Sequence, residues 1–165
     1  AVIDCGCYNQ EERDELSDFI SSKNLKPVVL LNTHCHLDHI FGNGYMLERF
    51  NLRTLSGEAD EIIRKGAVQH AGIFGLKMDP SPEPGGFLSD RQIISFGSIE
   101  LMALHVPGHA PGSFAFYSEK DECVFTGDAL FSGSIGRTDL PGGSSEALIN
   151  SIKNQLFTLV IYLGI

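Results

Sequence analysis

The segment His34-Cys35-His36-Leu37-Asp38-His39 places four groups able to hold a metal within six residues. Imidazole nitrogens and carboxylate oxygens are ligands that Zn²⁺ accepts, and non-haem iron uses the same types. A spacing of two lets His34 and His36 turn to one side of an extended segment. Asp38 and His39 lie one turn further on and can face a neighbouring ion. Cys35 falls between two of these residues and alternates away from them, as a small buried side chain. His109 and Asp128 stand in the same context, after short strands that end at Val106 and Thr126. Taken alone, a histidine or an aspartate after a strand says little. Three strands that all end in ligand-type residues fit the tendency of sites in α/β proteins to gather where strand carboxyl ends meet loops.

The elements that must position these residues are readable around them. Asn9 stands three residues before Glu12, a capping-box spacing, and Leu16, Phe19 and Ile20 repeat at helical intervals, which predicts a helix to about residue 22. Residues 28–31 form a wholly apolar run, read as a strand buried on both faces. Helices are expected over 44–50 and 58–71, with a strand at 52–55 between them. Residues 72–90, rich in Gly and Pro, are expected to form a long loop. Strands at 92–96 and 99–106 flank Gly97-Ser98, and 113–117 with 122–125 make a hairpin. A loop over 132–144, a helix over 145–158 and a strand at 160–162 complete the chain. The stripe Leu148, Ile149, Ile152, Leu156 reads as core packing. The passage from helix to strand at Leu159-Val160 has no turn residue.

The chain has 165 residues and 18.0 kDa, the size of one domain, with 42% hydrophobic and 20% charged residues, a globular composition. No apolar run approaches the ~20 residues of a membrane span. Twelve basic against 21 acidic residues give a net charge of −9, with no basic stretch, so nucleic acid is not an expected partner. Cys5, Cys7, Cys35 and Cys123 are read as reduced thiols, and the compartment as cytoplasmic, with no signal peptide.

Through these residues the chain resembles the metallo-β-lactamase fold superfamily along essentially its whole length. Thr33-His34-Cys35-His36-Leu37-Asp38-His39 matches the T-H-x-H-x-D-H motif, Pro107-Gly108-His109 the second motif and Thr126-Gly127-Asp128 the third. Gly133-Ser134-Ile135-Gly136-Arg137-Thr138-Asp139 is similar to the glyoxalase II-like small hydrolases. The resemblance implies an αββα four-layer sandwich, two mixed β-sheets flanked by helices with the metal site at one edge. It implies one domain over 1–165, lacking its first strands and part of its C-terminal end. It implies two Zn²⁺ ions, with iron or manganese as substitutes. His34, His36 and His109 would hold the first and Asp38 and His39 the second, with Asp128 bridging. Asp38 would also orient the attacking hydroxide. The family's further second-site histidine, expected after the last strand, has no counterpart here: Tyr162 is followed by Leu163-Gly164-Ile165.

The implied function is hydrolysis of a small-molecule thioester by metal-activated water, similar to hydroxyacylglutathione hydrolase, with activity rising with pH near neutrality. The alternatives within the fold are a mononuclear iron oxidoreductase acting on persulfides and a β-lactam or other ester or amide hydrolase. Arg137 is read as paired with Asp139 to order the loop, or else as a contact for an anionic substrate. His105 is read as a packed histidine. His70 would face the substrate if residues 72–90 formed a lid.

Overall fold

Asn9 caps the first helix as its spacing from Glu12 predicts: the Glu12 N–H donates to Asn9 Oδ1 at 3.0 Å, and Glu12 Oε2 accepts from the Tyr8 N–H at 2.6 Å. A computed structural model describes residues 1–159. Its elements are β1 (Val2–Ile3), α1 (Gln10–Ser22), β2 (Leu30–Leu31), α2 (Leu37–Ile40), α3 (Asn43–Phe50), β3 (Thr54–Ser56), α4 (Glu61–Ile73) and β4 (Gly86–Phe87). There follow β5 (Ile93–Phe96), β6 (Ile99–His105), β7 (Phe114–Ser118), β8 (Cys123–Phe125), β9 (Leu130–Phe131), β10 (Ser134–Ile135) and α5 (Ser145–Ser151). A 3₁₀ turn at Glu58–Asp60 leads into α4, and α5 continues as a π-helical turn at Ile152–Leu156.

The two expected sheets are present. Among the described residues each has one sense: β1-β2-β3-β4 is parallel and β5-β6-β7-β8 antiparallel. Connectivity decides this, because the strands of the first sheet are joined by helical crossovers and those of the second by short turns. Side-chain alternation then builds the layers. Leu101, Ala103, Phe114 and Phe116 face Leu31 and Leu88, which fills the space between the sheets. Leu104, Val106, Ala115 and Tyr117 face outward onto Leu148, Ile152 and Leu156. Leu30 packs on Met46 and Leu16 on the far side of the first sheet. The order is helix, sheet, sheet, helix.

Several expectations need correction. Only Leu30 and Leu31 of the apolar run are strand; Val28 is half exposed, because β2 pairs with β1 over just two residues. The segment 72–90 is not all loop. Gly86–Phe87 adds in parallel to β3, with the Leu88 N–H donating to Ser56 O, and Leu88 is buried between the sheets. Residues 132–144 contain β10, which closes a hairpin with β9. Ile149 is exposed, so the stripe on α5 is narrower than its spacing suggested. The strand expected at 160–162, and the tail at 163–165 where a further histidine was sought, lie outside the described residues. Among the described residues no helix is long and apolar enough to cross a membrane.

Arg64 fastens the segment before β4. Its guanidinium is buried and donates to Glu61 at 2.6 and 2.9 Å and to Ser81 O at 2.7 Å, with Glu83 at 3.0 Å. Removing it would leave Ser81 O and Glu61 short of partners. Arg64→Met is therefore expected to lower unfolding free energy by about 2–3 kcal/mol, measurable by urea denaturation. A loss within error of zero would mean that this segment holds without the guanidinium.

Candidate metal centre

β2 stops at Leu31, and the loop after it is fixed from several sides. The Thr33 N–H and hydroxyl donate to the two oxygens of Asp4, each at 2.7 Å, and Thr33 O accepts from Phe114 N at 2.7 Å. This ties the end of one sheet to the other. Asn32 is fully buried; its Nδ2 donates to His39 O at 2.9 Å, while its Oδ1 accepts from Asn43 and Thr54. Leu37 and Ile40 of α2 bury themselves against Ala67 and Ala71 of α4, in the cluster that also holds Cys35. Cys35 thus points away from the histidines, as alternation predicts, and its burial raises the thiol's pKa.

The two other motifs depend on glycine. Gly127 has φ of +50°, and a Cβ there would stand 2.4 Å from Thr33 Oγ1, so only glycine lets Asp128 approach the first loop. Gly108 has φ of +136°, and a Cβ would meet Leu148 N at 2.2 Å. His109 is placed by that close seat on α5.

Three imidazoles converge. His109 Nε2 lies 2.8 Å from His36 Nδ1 and 3.1 Å from His34 Nε2. Ligand atoms of His34, His36 and His109 all fall within 4.8 Å of one another, as do those of His34, His39 and Asp128. Asp128 spans the two groups, with Oδ2 at 3.6 Å from His109 Nε2 and Oδ1 at 3.4 Å from His39 Nε2. Asp38 belongs to neither group; its largely exposed carboxylate lies 3.5 Å from His39 Nε2.

The partners of the outer ring nitrogens set the tautomers. His109 Nδ1 faces Arg137 O at 2.8 Å, an atom that can only accept, so Nδ1 carries the proton. The Thr33 hydroxyl hydrogen is taken by Asp4, so Thr33 Oγ1 accepts from His34 Nδ1 at 3.1 Å. With both rings in the neutral form that binds metal, both Nε2 atoms present lone pairs to each other across 3.1 Å. Two lone pairs facing across a buried gap repel, and a cation between them removes the repulsion. Burial first, then the neighbouring histidines, hold His34 far below the usual imidazole range, and burial followed by His109 brings His36 down to about 4. Both are neutral at physiological pH, the form that binds metal. The residues present fit a divalent ion.

His39 differs. Burial acts to lower its pKa, but pairing with Asp128 and then Asp4 outweighs burial and raises it to about 10. Its Nδ1 is 3.0 Å from Asp4 Oδ2, close enough for an ion pair although without the alignment of a hydrogen bond. His39 also holds Asp128 below the ordinary carboxylate range. In metal-stripped protein the raised His39 value makes its stabilisation complete below an unfolded value of about 6.5 and lost as pH rises through about 10. Denaturation of chelated protein across that window is expected to show this loss in wild type and not in His39→Gln. An equal decline in both would remove the pair as its source.

Of the remaining histidines, His105 packs on Phe114 and faces Pro111 O at 3.1 Å, the packed role expected. His70 lies beside a cleft at α4, and no residue of 72–90 lines that cleft, so this segment does not cover it. The Arg137 guanidinium binds both oxygens of Asp139 at 2.8 and 2.7 Å, which accounts for its fork within the loop. Two aspartates escaped the sequence reading. Asp4 holds Thr33 and His39, and Asp60 is fully buried beneath the centre, accepting from Cys35 N at 2.9 Å and Gly112 N at 2.6 Å. A weak signal existed for Asp4, since a lone acid at the end of an apolar strand is a poor strand residue.

Residues 1–164 match the Metallo-beta-lactamase superfamily. Hydroxyacylglutathione hydrolase GloC of Haemophilus influenzae is 36% identical over 166 residues, covering 96% of this chain and 74% of that protein. The probable metallo-hydrolase YqgX of Bacillus subtilis is 33% identical over 150 residues, 90% of this chain and 71% of that one. Among solved structures, TTHA1623 in a di-iron-bound form superposes with a TM-score of 0.84 at 35% identity, covering 95% of this chain and 75% of that chain.

Proposed function

The chain belongs to the metallo-β-lactamase superfamily, whose members are mostly metal-dependent hydrolases, and from that premise we propose that it hydrolyses thioesters in the manner of the glyoxalase II-like enzymes. The observation that carries the reading is the pair of ligand groups sharing His34 and spanned by Asp128. In this reading His34, His36 and His109 hold one metal, Asp38 and His39 contribute to a second, and Asp128 reaches both. Zinc suits the nitrogen and oxygen donors, and iron is the competing occupant, in line with the di-iron form of TTHA1623. Ions bound there supply Lewis acidity toward a carbonyl oxygen and make water nucleophilic at neutral pH.

The chain's own residues do the rest. Arg137 O and Thr33 Oγ1 hold the outer nitrogens of His109 and His34, so that both rings keep their lone pairs inward. Asp38, at the open rim, is placed to accept a hydrogen bond from an incoming nucleophile. The oxygen of a water adds to the thioester carbon, its protons pass to solvent at the open rim, the carbon–sulfur bond breaks, and sulfur leaves with the electron pair, giving a carboxylate and a thiolate. A thiol of ordinary pKa, about 8.5, leaves as thiolate with little protonation, so a thioester asks less of the site than an amide does.

The test is elemental analysis of purified protein, followed by a panel of S-lactoylglutathione, simple acyl thioesters and a persulfide. Two metal equivalents with thioester turnover are expected. A single iron with oxygen consumption on the persulfide would replace this reading with the oxidoreductase one, and a protein with neither metal nor turnover would end both.

A further inference from the structure

α4 carries a glycine in mid-helix. Gly66 has no heavy atom within 4 Å of where a Cβ would stand, so no close packing calls for glycine there. Glycine in a helix interior is also less stable than alanine. What the missing side chain leaves open is a cleft of about 350 Å³, a size suited to part of a small molecule. Ile62, Ile63, Gly66 and His70 line it from α4, Pro111 and Pro141 from the turns after β6 and before α5, and His36 belongs to it too. No carboxylate, ammonium or guanidinium lines it. Ile62 is 77% exposed, an apolar side chain left to water at the cleft.

Resting on the thioester reading, we propose that this cleft binds an uncharged, apolar arm of the substrate, attached beside the scissile carbonyl, and that Gly66 sets the size of arm admitted. His36 is shared by the cleft and the converging imidazoles, so a molecule whose carbonyl reaches the centre has this apolar wall alongside it. The wall holds no lysine or arginine to pair with a carboxylate, which disfavours a carboxylate-bearing arm there. The apolar group sits on the acyl side or on the thiol side of the bond, and the experiment separates the two.

The test uses Gly66→Leu, whose side chain enters open space, and Ile62→Asp, which brings a charge to the cleft from an exposed position. Binding of the non-hydrolysable thioether S-hexyl-N-acetylcysteamine to metal-loaded protein is measured by calorimetry. Both variants are expected to weaken it by about tenfold or more, with metal content and melting temperature confirming that each is folded. In turnover, the ratio of kcat/KM for hexanoyl- over acetyl-N-acetylcysteamine reads the acyl side. The same ratio for acetyl thioesters of hexanethiol and ethanethiol reads the thiol side. One of the two ratios is expected to fall by about tenfold in Gly66→Leu. Thioether binding and both ratios unchanged in the variants would overturn the cleft assignment and leave the thioester reading standing. Thioether binding that is weakened in the variants, with no thioester turned over by wild type, would overturn the reading and keep the cleft.

Discussion

His109→Ala is expected to lose metal from the centre and to lower thioester turnover by roughly 10³-fold or more. The size follows from its position. Its Nε2 lies within 3.1 Å of nitrogens on both His34 and His36 and 3.6 Å from Asp128, so both ligand groups are affected when it goes. The residue is buried, with its second nitrogen committed to Arg137 O. The comparison is His105→Ala, four residues earlier on β6. That ring stacks near Phe114 and should cost stability while leaving metal stoichiometry in place. Metal content measured on both variants after desalting, alongside kcat/KM, distinguishes them. Retention of full metal and activity by His109→Ala would place the centre elsewhere.

Asp60→Asn is expected to weaken metal binding about 10–100-fold and to destabilise the fold by about 1–3 kcal/mol, although its oxygens bond backbone N–H groups rather than the three imidazoles. Each oxygen of Asp60 accepts from a different loop, Oδ2 from Cys35 N between two of the histidines and Oδ1 from Gly112 N just beyond His109. The carboxylate therefore fixes the separation of the loops that carry the ligands. Gly112 approaches so closely that a Cβ there would meet Asp60 N at 2.7 Å. In asparagine one acceptor becomes an NH₂ facing a buried N–H, so even the isosteric change breaks one tether. Burial outweighs the two donors and raises the Asp60 pKa, so ionising it has a cost in stability that is absent below the unfolded carboxylate value and complete above the folded one. Metal titration with a competing chelator, read beside urea denaturation, tests the pair of effects. A variant that loses stability but binds metal like wild type would make Asp60 a core residue with no part in positioning the site.

The candidate ligands of the first loop were legible because they are local: four of them, His34, His36, Asp38 and His39, fall within six residues. His109 and Asp128 joined them only through the resemblance to a known family, whose second and third motifs they match. The strands β5 to β8 were legible for the same reason, since β5 with β6 and β7 with β8 are joined by short turns, but their union into a sheet of one sense, where a mixed sheet was expected, rests on the β6–β7 pairing across a longer loop. The helix α1 announced itself through Asn9 and Glu12, whose contact spans three residues.

What stayed hidden depends on contacts far apart in the chain. Gly86–Phe87 becomes a strand only because β3 offers it an edge, and nothing in a Gly- and Pro-rich run reports that edge. Asp60 reads as an acid at a helix start until Cys35 and Gly112 are seen to converge on it, 25 and 52 residues away. Asp4 meets Thr33 across 29 residues. The cleft beside Gly66 is bounded by α4 and by turns that the chain reaches only much later. Residue types and short spacings thus named the candidate metal-binding atoms of the first loop. The distances between those atoms, the tautomers that turn their lone pairs inward and the shape of the space beside them arose only when the two sheets closed on each other, because each is set by partners that sequence order keeps apart.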